Sequence, residues 1–76
     1  MINSQLKIFL EHIYNKELDF KSITEQELHK YFKNNQYYNI KKFCLKNELI
    51  VIEFHSINLT ALGIDFFNIL KKLKNI

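Results

Sequence analysis

His12, His29, His55 and Cys44 are the residues of this chain whose types suit metal binding or nucleophilic chemistry, and their spacing suits neither. No histidine has a second ligand three or four residues further on, the separation that sets two donors on one helix face. One cysteine in 76 residues excludes an internal disulfide and a zinc-type Cys pair. It reads as a packed small hydrophobe and fits a reducing interior. Glu25 and Glu27 fall where the start of a helix favours negative charge, which accounts for them without an acid–base role. The only glycine is Gly63, so no glycine-rich phosphate loop can form. These patterns point away from an enzyme and from any metal or cofactor.

The remaining chemistry is that of lysine. All eleven basic residues are Lys, against eight acids, for a net charge of +3. Residues 1–38 hold five Lys and five acids, whereas residues 39–76 hold six Lys and three acids, so the whole excess sits in the second half. That distribution permits a polyanionic partner without requiring one. The absence of Arg removes bidentate guanidinium contacts to guanine.

These side chains need elements to hold them. The length suits a single domain over residues 1–76 with one small core, to which seven Phe and four Tyr contribute. No apolar run approaches the ~18–20 residues of a membrane span, and MINSQLKIFLEH lacks the form of a signal peptide. The chain is expected to be cytoplasmic. Leu6, Phe9, Leu10, Ile13 and Glu17 follow helical spacing and predict a first helix capped by Asn3 or Ser4. LDFKS then breaks the period, with Leu18 and Phe20 expected under the loop. In ITEQEL, Thr24 and Glu27 form a capping box and Ile23 and Leu28 a hydrophobic staple, so a second helix starts at Glu25. Its inner face reads Leu28, Tyr31 and Phe32, and it stops at KNNQ, where Asn34 and Asn35 suit turn and left-handed conformations. A third helix follows from Gln36 to Lys46, with Ile40, Phe43 and Cys44 inside, Tyr37 at the margin and Asn47 ending it.

LIVIEF alternates as a strand and INL returns after a tight turn near His55–Ser56. Thr60 caps a last helix whose core stripe reads Leu62, Phe66, Ile69 and Leu73. Lys71, Lys72 and Lys74 crowd its C-terminal end, where cations complement the helix dipole. Gly63 lies in the first turn of that helix, against propensity, which predicts close backbone packing on the hairpin or the first helix. The fold expected is α+β, mostly helical: a winged helix-turn-helix of three helices, a short two-stranded hairpin and a C-terminal helix.

Two stretches carry a resemblance. IKKFCLKNELI, residues 40–50, resembles the end of the recognition helix in MarR-like and PadR-like winged-helix regulators, and INLTALGIDFF, residues 57–67, is similar to the Leu-Thr-x-x-Gly stretch that follows the wing in them. Small phage and plasmid winged-helix proteins end comparably. Two departures stand out: Glu48 occupies a position where Gly is common, and Glu53 and His55 replace basic residues on a short wing. The resemblance implies a transcriptional regulator whose third helix lies in the major groove of operator DNA. Gln36, Tyr38, Asn39, Lys41, Lys42 and Lys46 would then meet DNA, with lysines on phosphates or guanine and Asn39 or Gln36 on adenine. Lys21, Lys30 and Lys33 would support at the edges. The same face also reads as ordinary solvated helix.

Ile8, Ile64 and Phe67 lie off the core stripes of the first and last helices and are expected to form an interface between two copies or with a partner. Pairing through terminal helices is also what the resemblance implies. A second function stays open, that of a winged-helix module that binds a protein, such as an antirepressor or inhibitor. The missing Arg and the acidic wing favour it.

Overall fold

The first helix forms because its apolar stripe has a core to enter. In a computed structural model that describes residues 3–73, with Asn3 described by its backbone alone, Leu6, Phe9, Leu10 and Ile13 are all buried on α1 (Asn3–Leu18). Ser4 is already the second residue of that helix, and the capping expected of the Asn3 side chain lies outside the described residues. Glu17 extends the stripe to another element, its carboxylate accepting the Leu59 N–H at 2.8 Å. Leu18 and Phe20, expected under the loop, are exposed instead. Phe20 closes α1 in a left-handed conformation (φ 59°), with Phe20 N–H donating to Glu17 and Lys21 N–H to the Lys16 carbonyl. That hydrogen-bond pair is a Schellman motif, which turns its left-handed residue outward.

The capping box forms as the sequence predicts. Thr24 Oγ1 accepts the Glu27 N–H at 3.1 Å, and a Glu27 carboxylate oxygen accepts the Thr24 N–H at 3.2 Å. The staple residues Ile23 and Leu28 are both buried. The helix is shorter than expected, however: α2 spans Glu25–His29, and α3 begins two residues early, at Asn34, and runs to Lys46. Tyr31 is therefore exposed, stacked on His12 at 3.9 Å, while Phe32 packs against the core. Asn34 and Asn35 enter the first turn of α3 rather than a left-handed turn.

α3 buries Tyr37, Ile40 and Cys44. Burial pushes the Cys44 thiol up to about 12. The helix ends in a second Schellman motif, with Leu49 N–H on the Cys44 carbonyl, Glu48 N–H on that of Leu45, and Glu48 left-handed (φ 57°). Asn47 is the C-cap, and its side chain donates to the Phe43 carbonyl at 2.9 Å. β2 (Ile50–Glu53) and β3 (Ser56–Leu59) then form a hairpin in register Glu53↔Ser56, which leaves Phe54 and His55 as a two-residue turn with φ of 49° and 69°. Positive φ at both central residues is the type I′ requirement. A third strand escapes the sequence reading: β1 (Ile23–Thr24) pairs with β3, giving an antiparallel sheet in the order β1-β3-β2. Two residues are too few to show a period.

α4 (Ala61–Lys72) is capped by Thr60, whose Oγ1 accepts the Gly63 N–H at 2.9 Å and donates to the Glu48 carbonyl at 2.6 Å. The Leu49 carbonyl accepts the Thr60 N–H and lies against Gly63 Cα, so close that a Cβ would stand 2.9 Å from its carbon. Gly63 thus permits a close approach at the junction of α3 and the hairpin. That contact fixes the rotation of α4. Gly63, Phe67 and Leu70 face inward, and Ile64 and Phe66 pack partly against the core. Leu62, Ile69 and Leu73, expected in the core stripe, are exposed. Both sides of α4 are apolar, so spacing alone admits two rotations, and the glycine selects one. Lys71 and Lys72 sit in the last turn as expected, and Lys74 lies outside the described residues. No helix among the described residues is long and apolar enough to cross a membrane.

Candidate nucleic-acid interface

With Tyr37, Ile40 and Cys44 turned inward, α3 presents Tyr38, Asn39, Lys42, Leu45 and Lys46 to solvent. Tyr38, Lys41, Lys42, Leu45 and Lys46 line one shallow depression on this face. Lys42 and Lys46 stand one helical turn apart, and neither has an ion-pair partner among the described residues. The Leu45 side chain between them adds an apolar floor that the sequence reading did not include.

Two of the expected contact residues are engaged elsewhere. Lys41 is partly buried and pairs with Glu25 at 2.5 Å, its ammonium 5.8 Å from the Tyr37 ring centre and 6.0 Å from that of Tyr38. Its charge is spent on joining α2 to α3. The Gln36 carbonyl oxygen accepts the Lys33 N–H at 3.4 Å in the first turn of α3. That leaves its amide NH2 as a free donor and removes the bidentate geometry that adenine needs. Lys21, Lys30 and Lys33 are exposed.

A second cleft opens beside the first, lined by Thr24, Glu25, Gln26, His29, Tyr37, Tyr38, Lys41 and His55. Tyr38 and Lys41 border both hollows, so the tip of the hairpin and the outer face of α3 share one side of the molecule. Glu25 anchors this cleft. The Lys41 hydrogen bond, with further help from the Lys41 charge and the Tyr37 O–H at 3.3 Å, holds its carboxyl below the ordinary 4.5 against the cost of burial. Burial and the Glu25 charge raise the Tyr37 phenol, which stays protonated. His29 stacks on Tyr37 at 4.3 Å and meets Tyr38 edge-on at 5.5 Å, while its Nε2–H donates to Asn34 Oδ1 at 2.7 Å. This His–Tyr–Tyr stack orients Tyr38. Sequence reasoning missed it because His29 and Tyr38 belong to helices whose crossing no local pattern reports.

The hairpin tip is the other omission. Phe54 is 97% exposed, with Glu53 and His55 exposed on either side. Among the expected interface residues, Ile8 is exposed on α1. Ile64 is only partly exposed and packs against the core. Phe67 is 1% exposed, its ring 5.0 Å from that of Tyr14 and beneath the Lys71 ammonium at 5.5 Å, so it is a core residue and not an interface residue. The rotation of α4 set at Gly63 is the reason. Among the described residues no three His, Cys, Asp or Glu side chains cluster as metal ligands would. No family model, curated protein or solved structure matches the chain.

Proposed function

We propose that this chain is a winged-helix protein that binds duplex DNA, with α3 in the major groove and the β2–β3 hairpin as its wing, and that it regulates transcription by occupying an operator. The observation that carries this reading is the outer face of α3. Lys42 and Lys46 are exposed there and unpaired among the described residues, with Tyr38 and Asn39 beside them, on the helix that follows a short capped helix and a four-residue turn. Ammonium groups one turn apart suit successive phosphates or guanine edges, and Asn39 suits adenine. Lys41 supports from within by fixing α2 against α3, and Tyr38 is held for contact by His29.

Fluorescence anisotropy of a labelled AT-rich random duplex, titrated across salt, tests the reading. Binding should weaken steeply as salt rises, and Lys42→Ala with Lys46→Ala should lower the salt slope by about 0.9 per lysine, roughly 2 in all. Absence of binding at ~50 mM salt refutes it. The second reading, a winged-helix module that docks on a protein, would then lead. The hairpin tip favours that alternative, because it presents Phe54 nearly bare beside Glu53 and holds no basic residue.

A further inference from the structure

Every side chain that α3 exposes is Asn, Lys or Tyr except Leu45, which is 43% exposed. The core does not need a leucine there, since Tyr37, Ile40 and Cys44 fill the inner face of the helix. Leu45 instead helps to line the depression on the outer face, with Lys42 and Lys46 beside it and Tyr38 at the far end. Lys42 precedes Leu45 by three residues, so the two side chains are neighbours on the helix surface. Tyr38 precedes it by seven, about 10 Å along the axis, which is roughly three steps of stacked base pairs. Lys41 also lines the hollow, but its charge is already committed to Glu25. The free charges beside Leu45 are ammoniums, which donate hydrogen bonds and cannot accept them.

An apolar spot next to a pure donor selects among the base edges of the major groove. The C5-methyl of thymine is the apolar group on those edges, and the neighbouring O4 is an acceptor. Cytosine offers a bare C5–H and an amino donor, and neither suits this pair of side chains. 5-Methylcytosine restores the methyl, yet still sets its amino donor before the ammonium. The purines bring no methyl at all. Thymine therefore satisfies Leu45 and Lys42 together, and no other base does.

We propose that Leu45 reads the C5-methyl of a thymine while Lys42 donates to the O4 of the same base. The chain then prefers duplexes that carry thymine at that position. This specificity rests on the reading of α3 as the helix that enters the major groove.

The test uses duplexes selected by the full chain from a random-sequence pool, with each thymine replaced in turn by deoxyuridine, which lacks only the methyl. At one position per bound chain, affinity should fall about fourfold, the worth of one buried methyl. The salt slope should not change there, because no phosphate contact is lost. Leu45→Ala changes an exposed residue in a direction that helix propensity favours, and it should bind the thymine and deoxyuridine duplexes alike. Exchanging the same T·A pair for 5-methylcytosine·G should weaken the wild-type chain several-fold, and Lys42→Ala should abolish that difference. Deoxyuridine tolerated at every position overturns the proposal and leaves DNA binding intact. So does a Leu45→Ala chain that still discriminates, or a wild-type chain that accepts 5-methylcytosine without loss. Absence of salt-dependent binding to the starting pool overturns the DNA reading itself, and this proposal with it.

Discussion

Phe20, Glu48, Phe54 and His55 hold φ between 49° and 69°, a region that costs side-chain-bearing residues about 1 kcal/mol or more each. Phe20 and Glu48 recover part of that cost through the Schellman hydrogen bonds that end α1 and α3. The Phe54–His55 turn has the ladder of its own hairpin and one bond to α2, the Glu25 N–H donating to the His55 carbonyl at 2.8 Å, and Asn-Gly is the pair such turns favour. Replacing Phe54 by Asn and His55 by Gly should therefore stabilise the fold by about 1–2 kcal/mol. A higher urea midpoint with an unchanged slope is the expected result, and a lower midpoint refutes the strain assignment. A chain that keeps a strained, bare phenylalanine at a loop tip spends stability there, which fits a tip used for contact.

At the scale of elements, Gly63 sets a sign that helix propensity alone gets wrong. Propensity favours Ala over Gly inside a helix by about 1 kcal/mol. The methyl of Gly63→Ala would press on the Leu49 carbonyl, which is backbone and also accepts the Thr60 N–H. Overpacking of that kind costs about 1–3 kcal/mol, so the variant should be less stable than the parent in urea. A rise in stability would show that the junction of α3, the hairpin and α4 is loosely joined. The same junction divides what the sequence discloses from what it does not. Local chemistry was legible: the Thr24–Glu27 box, the inner faces of α1 and α3, the Thr60 cap and the close approach at Gly63. The rotation of α4 was not, since Leu62–Ile69 and Phe67–Leu70 are equally apolar sets and only a tertiary contact chooses between them. β1 was hidden by its length. On the candidate site, Tyr38, Asn39, Lys42 and Lys46 were readable from the helical wheel. The engagement of Lys41 and Gln36 was not, because Glu25 lies sixteen residues from Lys41 and the sequence pattern starts α3 two residues later than the fold does.

For the molecule as a whole, acid is the weak side. Lys41 holds the Glu25 carboxyl below the ordinary 4.5, and the Thr24 N–H with Lys16 does the same for Glu27. Carboxyls depressed in the folded state bind fewer protons there than in the unfolded chain, so they contribute stability above about pH 4.5 that disappears as pH falls through their folded values. The melting temperature should be level near neutrality and drop below about pH 4.5, and Glu25→Gln should flatten that drop. A midpoint that holds steady down to about pH 3 refutes the role given to these pairs. Both carboxyls sit on α2, and their lysines come from α1 and α3, so protonation loosens the helix that aligns the α3 face.

Cys44 makes the opening of this fold directly countable. It is the only thiol in the chain, it has no exposed surface, and burial pushes it up to about 12. Disulfide reagents and alkylators are electrophiles that only the thiolate attacks at a useful rate. A folded chain thus offers them neither access nor the reactive form. Modification must wait until α3 leaves the core, and its rate equals the open fraction multiplied by the rate of a free cysteine. Mass spectrometry then sees one adduct per molecule that has opened, with no competing site and no introduced probe. The side chain that fills the space beneath Tyr38 and Lys42 doubles as a clock for the stability of the surface above it.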